Sequence, residues 1–192
     1  MIKSNKNKVI KALNSGGIAV ILTDTIYGIV AKAEDKKSVD KVYKAKGRDD
    51  TKPLIVLINN IDSLKVFGVK LNHNQNNFLN KNWPGKVSII LPVNKNKFKY
   101  IHRGSGSIAF RMIGPVNRNL FSIINSVGPI VAPSANPQGL PPATCIHKAH
   151  KYFGSTVDAY LDGGTKKGIA STVVDYTKDK PKIIRQGLVV IK

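Results

Sequence analysis

The sequence predicts a layered α/β domain built on a twisted, open mixed sheet with flanking helices. Three observations carry that reading. Short unbroken apolar runs, 18–22 and 53–58 first among them, read as strands covered on both faces. Between them lie stretches whose apolar residues recur at helical spacing. The spacing of strands and helices is uneven, which argues for a mixed sheet over a regular parallel one. A chain of 192 residues has the length of one domain, 1–192, with a core of its own.

The elements follow in order. Ser4 is placed to cap a helix carrying Val9, Ile10 and Leu13, which Gly16-Gly17 ends before the strand 18–22. A helix over 38–45, with Val39, Val42 and Tyr43 on its inner face, precedes the strand 53–58. Short helices are expected at 61–66 and 74–82, then strands at 87–91, 107–110 and 129–132. Pro115 suits the first turn of a helix running to 125, because proline's missing N–H is not needed there. Thr144 suits the cap of a helix to 153, and strands at 157–161, 171–174 and 183–184 complete the chain.

Charge narrows the partners. There are 31 basic residues against 11 acidic ones, a formal net charge of +20, and no Asp or Glu occurs anywhere in 63–157. Such a surface suits polyanions, nucleic acid or nucleotide phosphates. Yet 26 of the cations are Lys and Asn is abundant at 17, a mix that drift in coding composition also produces. No run approaches the roughly 18–20 apolar residues of a membrane span, and the N-terminus lacks a signal peptide's apolar core. We therefore expect a cytoplasmic protein with no membrane partner. The single cysteine, Cys145, leaves no internal disulfide and no cysteine-based zinc cluster.

The common phosphate loops, G-x-x-x-x-G-K-[ST] and G-x-G-x-x-G, are missing. Instead, small polar segments directly follow apolar strands, where α/β folds meet their ligands. The first is Thr23-Asp24-Thr25-Ile26-Tyr27-Gly28, whose hydroxyls could read a small polar molecule or merely cap a turn. The second is Lys46-Gly47-Arg48 with Lys52, cations placed where a triphosphate could be neutralised. The third is Ala132-Pro133-Ser134-Ala135-Asn136. Only five arginines occur, at 48, 103, 111, 118 and 185, which makes them a short list of candidate anion clamps. Asp24 is open to a Mg²⁺ role or a turn cap.

These three clusters in this order resemble the YrdC family, whose segments read P-T-[ED]-T-V-Y-G-L, K-x-R-x-x-x-x-P-L and S-x-N. Later pieces fit as well: 107–111 (Ser-Ile-Ala-Phe-Arg), Asp162-Gly163-Gly164, 171–175 (Ser-Thr-Val-Val-Asp) and Ile184-Arg185-Gln186-Gly187. The similarity covers roughly residues 8–187.

What the resemblance implies is a positive cavity enclosed by the sheet, and a threonylcarbamoyl-AMP synthase using ATP, L-threonine and bicarbonate or CO2, with Mg²⁺ on the nucleotide. Downstream partners would be transfer RNA or a transferase complex that modifies it. By position, Thr25, Leu57, Arg111, Ala132 and Ser171 correspond to threonine contacts. Arg48, Lys52, Ser107, Ser134, Asn136, Pro142 and Arg185 correspond to the ATP site, with Lys46 and Arg48 as the catalytic cations. This chain departs from the pattern at Leu22 (proline in the family), Leu57 (histidine in some members), and Gln138 and Pro142 (serines). The end at Lys192 fits the family's short form. A non-catalytic binder of double-stranded RNA or transfer RNA on the same fold is the alternative reading of the +20 charge.

Overall fold

A computed structural model describes residues 4–191. Helix α1 (Lys6–Asn14) leads to strand β1 (Ala19–Leu22), which turns tightly into β2 (Tyr27–Lys32). Helix α2 (Lys36–Lys46) precedes β3 (Ile55–Ile58). A 3-10 turn (Ile61–Phe67) and α3 (His73–Asn82) lead to β4 (Val87–Pro92), and the short α4 (Lys99–His102) to β5 (Ser107–Met112). Then come α5 (Arg118–Val127), β6 (Ile130–Val131), α6 (Ile146–Phe153), β7 (Ala159–Leu161), β8 (Thr172–Asp175) and β9 (Lys182–Arg185). The strands form one mixed sheet in the order β7-β1-β2-β6-β3-β5-β4-β8-β9. Three neighbouring pairs are parallel, β1 with β7, β3 with β5 and β4 with β8.

Side chains alternate across the sheet, and the two faces are covered unequally. Val20, Ile29, Val56, Ile58, Ile89, Phe110 and Val174 point into one core, shared with Val39 and Val42 of α2 and Ile146 and Phe153 of α6. Ala19, Ile21, Val30, Leu57 and Ile130 point the other way, onto Val9 and Leu13 of α1 and Leu120, Ile123 and Ile124 of α5. Each of the buried Val, Leu, Ile and Phe side chains among these contributes roughly 1.5–3 kcal/mol. The second layer ends there: Ala109 and Arg111 of β5, Ser88 and Ile90 of β4 and Val173 of β8 share that face and line a cavity instead of a core.

Several local expectations change. Ser4 does not cap α1. Its amide donates to the Tyr160 carbonyl at 2.7 Å and its hydroxyl accepts the Tyr160 N–H, so Asn5 becomes the cap and accepts the Lys8 N–H at 2.8 Å. Helix α2 starts before Ser38, because Asp35 caps it by accepting the N–H groups of Lys37 and Ser38. Pro115 lies in the turn ahead of α5, whose cap is Asn117. Thr144 precedes the cap of α6, Cys145. Strand β2 and the single-turn α4 were not expected; β2 completes the hairpin that presents residues 23–26.

Candidate active site

The 23–26 turn is built from its own hydroxyls. Thr23 Oγ1 donates to the Ile26 carbonyl at 2.7 Å and accepts the N–H groups of Thr25 and Ile26 at 3.2 and 3.3 Å. That satisfies the tight reversal between β1 and β2 and leaves Thr25 facing the cavity, 3.2 Å from Thr23. Gly28 follows, where a Cβ would press within 3.1 Å of Thr23 and 3.3 Å of the Pro133 carbonyl. Its bareness lets the 132–136 segment lie against β2, with Ile29 donating to Pro133 and Ala135 to Tyr27. The phenol of Tyr27 donates to the Gly164 carbonyl at 2.7 Å and accepts the Gly163 N–H at 2.9 Å. Tyr27 thus ties the 163–170 segment to the hairpin.

Arg111 is 4 % exposed and sits beside that turn. Its Nη2 donates to Asp24 Oδ1 at 2.8 Å and to Thr25 Oγ1 at 3.4 Å. Its Nε is buried with no partner. Burial pulls the guanidinium pKa down from its ordinary value, and Asp24 pushes it back up. From β9, Arg185 donates Nε and Nη2 to the Ser171 carbonyl at 3.2 and 2.9 Å, and burial lowers its pKa as well. The Ser171 hydroxyl is 2.8 Å from that of Ser88, both buried. A run of apolar strand residues interrupted by one serine was the only sequence signal for Ser88.

At the opposite, exposed side, Arg48 donates to the carbonyls of Lys52 and Pro53 at 3.2 and 3.0 Å. Lys46 is only 3 % exposed, and its ammonium points across to the 134–136 segment, donating to the carbonyls of Ser134 and Asn136. Desolvation, and then the charge of Arg48, lower its pKa from 10.5 to about 8. Asn136 holds the same loop closed by donating to Leu140 at 2.6 Å and Pro137 at 3.0 Å.

The resulting cavity has a volume of about 470 Å³. Thr25, Arg48, Arg111, Ala132, Ser134, Pro142, Ser171 and Arg185 all line it, and no carboxylate does. Three guanidinium groups line it, and with Arg111 paired to Asp24 the charges of Arg48 and Arg185 make it attractive to anions. Lys46, Lys52, Leu57, Ser107 and Asn136 do not line it. Leu57 shares the face of the cavity-lining Ile55 but packs beneath α5. Lys52 is exposed and 4.0 Å from Asp49, a screened pair of little weight. Two residues already singled out in the sequence, Asp24 and Gln138, have partners that it did not predict. Asp24 is the partner of Arg111 from 87 residues away, and Gln138 reaches from the Ser134 loop to the Arg48 loop. Neither pairing leaves a mark in local sequence.

Among the described residues there is no group of three or more His, Cys, Asp or Glu able to hold a metal ion, and no helix is long and apolar enough to cross a membrane.

The chain is similar in sequence and fold to known proteins. A threonylcarbamoyl-AMP synthase of Pyrococcus abyssi is 32 % identical over 177 residues, covering 91 % of this chain and 52 % of that protein. One from Cellvibrio japonicus is 30 % identical over 158 residues, covering 82 % of each. The crystal structure of P. abyssi Sua5 complexed with L-threonine matches with a TM-score of 0.87 at 28 % identity, over 97 % of this chain and 56 % of that one. The chain thus spans about half the length of the Pyrococcus protein. The sequence pattern of the Sua5, YciO and YrdC family, described as telomere recombination, matches residues 11–187, and the chain belongs to that family.

Proposed function

We propose that the chain joins L-threonine, ATP and CO2, or bicarbonate with loss of water, into L-threonylcarbamoyl-AMP and pyrophosphate. In the cytosol, that adenylate would supply N6-threonylcarbamoyladenosine formation in transfer RNA, through a transferase partner. The observation that carries the reading is one anion-friendly cavity with a buried part at Thr25, Arg111 and Ser171 and an open part at Arg48 and Ser134. A small amino acid suits the first, and a nucleotide the second.

The threonine amine, once neutral, attacks CO2; an N–C bond forms and the carbamate gives up the amine proton. A carbamate oxygen then attacks the α-phosphorus as the bond to pyrophosphate breaks. Little acid–base work is needed, so positioning and fixed positive charge supply the catalysis. Arg111 would hold the threonine carboxylate with the help of its unpartnered Nε, and Thr25 and Ser171 the small polar groups. Arg48 and Arg185 would face the phosphates, with Ser134 as a hydroxyl contact, while Lys52 and Ser107, outside the cavity lining, would meet only the part of ATP that extends beyond it. Lys46, turned onto the Ser134 carbonyl, would place that loop and add a nearby cation. Mg²⁺ would neutralise phosphate charge when bound. The donor set fits an ion held mostly by phosphate oxygens and water, since Asp24 is committed to Arg111.

The second reading, a non-catalytic RNA binder, is favoured by the acid-free stretch 63–157. Pyrophosphate release from ATP, with threonine and bicarbonate each omitted in turn, separates the two. Release that needs both supports the synthase. Release indifferent to threonine, or none from folded protein, rejects it.

A further inference from the structure

We infer that Gln138 is a positioning residue for the nucleotide end of the cavity, latching the Arg48 loop to the Ser134 loop. This rests on the ATP reading above. The two loops face each other across the open side of the cavity, and side chains from each reach the backbone of the other. Lys46 donates to the Ser134 and Asn136 carbonyls. In return, the Gln138 N–H donates to the Lys46 carbonyl at 2.8 Å, and the Gln138 Oε1 accepts the Asp49 N–H at 2.9 Å.

Arg48 therefore lies between two points of attachment, Lys46 before it and Asp49 after it. Gly47 intervenes at φ 54 as the left-handed cap of α2, its N–H on the Lys44 carbonyl and that of Arg48 on the Tyr43 carbonyl, so the helix end fixes the chain only as far as Arg48. Without the Gln138 side chain, the segment after Gly47 would lose its only bond to the Ser134 loop among the described residues, and would be held only to α2, by the Arg48 N–H on the Tyr43 carbonyl and the Tyr43 hydroxyl on the Lys52 carbonyl, and to Arg103 through Asp50. A serine at position 138, as the family pattern has it, is shorter by one methylene and the amide carbon and would not reach an N–H that Gln138 reaches at 2.9 Å. The latch is thus a property of this chain's own substitution.

The test compares Gln138→Met, which keeps shape and loses the acceptor, with Gln138→Glu, which keeps an acceptor oxygen. Hydrogen exchange in the ligand-free protein should speed up across 47–53 in Gln138→Met and stay at the parent rate in Gln138→Glu. In steady-state assays, Gln138→Met should raise the KM for ATP roughly three- to tenfold, the scale of one hydrogen bond. Its kcat and threonine KM should hold, because equal loss in ground and transition states leaves kcat alone. Gln138→Glu should restore the ATP KM to within about twofold of the parent. Unchanged exchange in Gln138→Met, or an unchanged ATP KM, overturns the proposal, as does a parallel rise in both KM values. A parent protein that releases no pyrophosphate rejects the synthase reading, and the exchange measurement still decides whether the latch exists.

Discussion

Arg111 and Asp24 form a buried ion pair, Nη2 to Oδ1 at 2.8 Å, with side chains 5 % and 4 % exposed. Strand β5 supplies the cation and the β1–β2 turn the anion, so the pair fixes the turn over the open face of the sheet. Removing one member leaves the other buried and uncompensated. Asp24→Ala should lower stability by about 3–5 kcal/mol, read from urea unfolding. A loss under about 1 kcal/mol would mean that water reaches Arg111 freely.

Lys46 sets a pH dependence with a definite sign. Its folded pKa of about 8 lies below the ordinary 10.5, so between those values the unfolded chain binds more protons than the folded one. Stability contributed by this residue must rise with pH across that window, and its cost is fully present below about pH 8. The difference in unfolding free energy between parent and Lys46→Met should shift in the parent's favour from pH 8 towards pH 10. A flat difference contradicts the depressed pKa.

Arg103 occupies the left-handed region at φ 49 and packs its guanidinium 3.9 Å from the centre of the Tyr43 ring. It also approaches Asp40 at 3.6 Å and Asp50 at 3.5 Å, joining α2 to the loop that follows Arg48. Arg103→Lys should lose about 1 kcal/mol, since an ammonium cannot stack and fork at once. Arg103→Gly should be more stable than Arg103→Ala by about 1 kcal/mol, because glycine takes this φ without strain. Thermal unfolding of the three variants checks both orders.

Gly168 belongs to the segment that Tyr27 ties across the hairpin, and a Cβ there would lie 2.2 Å from the Thr25 carbonyl oxygen. Its φ is outside the left-handed region, so alanine strains only the contact. Gly168→Ala should push the segment off Thr25 at a cost of about 1–3 kcal/mol and raise the threonine KM before the ATP KM. Equal KM values for parent and variant would place threonine elsewhere.

Much of this was legible in advance because it is local. A run such as Ile55–Ile58 is apolar on every residue only if both faces are covered, and Val56 and Leu57 do enter different cores. The Lys46-Gly47-Arg48 and Ser134 segments could be found because hydroxyls and cations after strands form a pattern along the chain. Strand β2 is hidden in the sequence because its short Ile29-Val30-Ala31 run follows a polar turn directly and becomes a strand only by pairing with β1. The cap of α1 was misplaced by one residue because Ser4 is claimed by Tyr160, 156 positions away.

By itself, then, the sequence determined an α/β chain rich in basic residues and named most of the residues around the cavity. Tertiary structure alone decided that Arg111 meets Asp24, that Lys46 turns onto the Ser134 carbonyl, that Leu57 lies under α5 and that Gln138 spans two loops. The physical reason is range. Apolar periodicity and capping act within one turn or one strand, whereas a charge's partner depends on which strands become neighbours. The order β7-β1-β2-β6-β3-β5-β4-β8-β9 is settled only when the whole core packs.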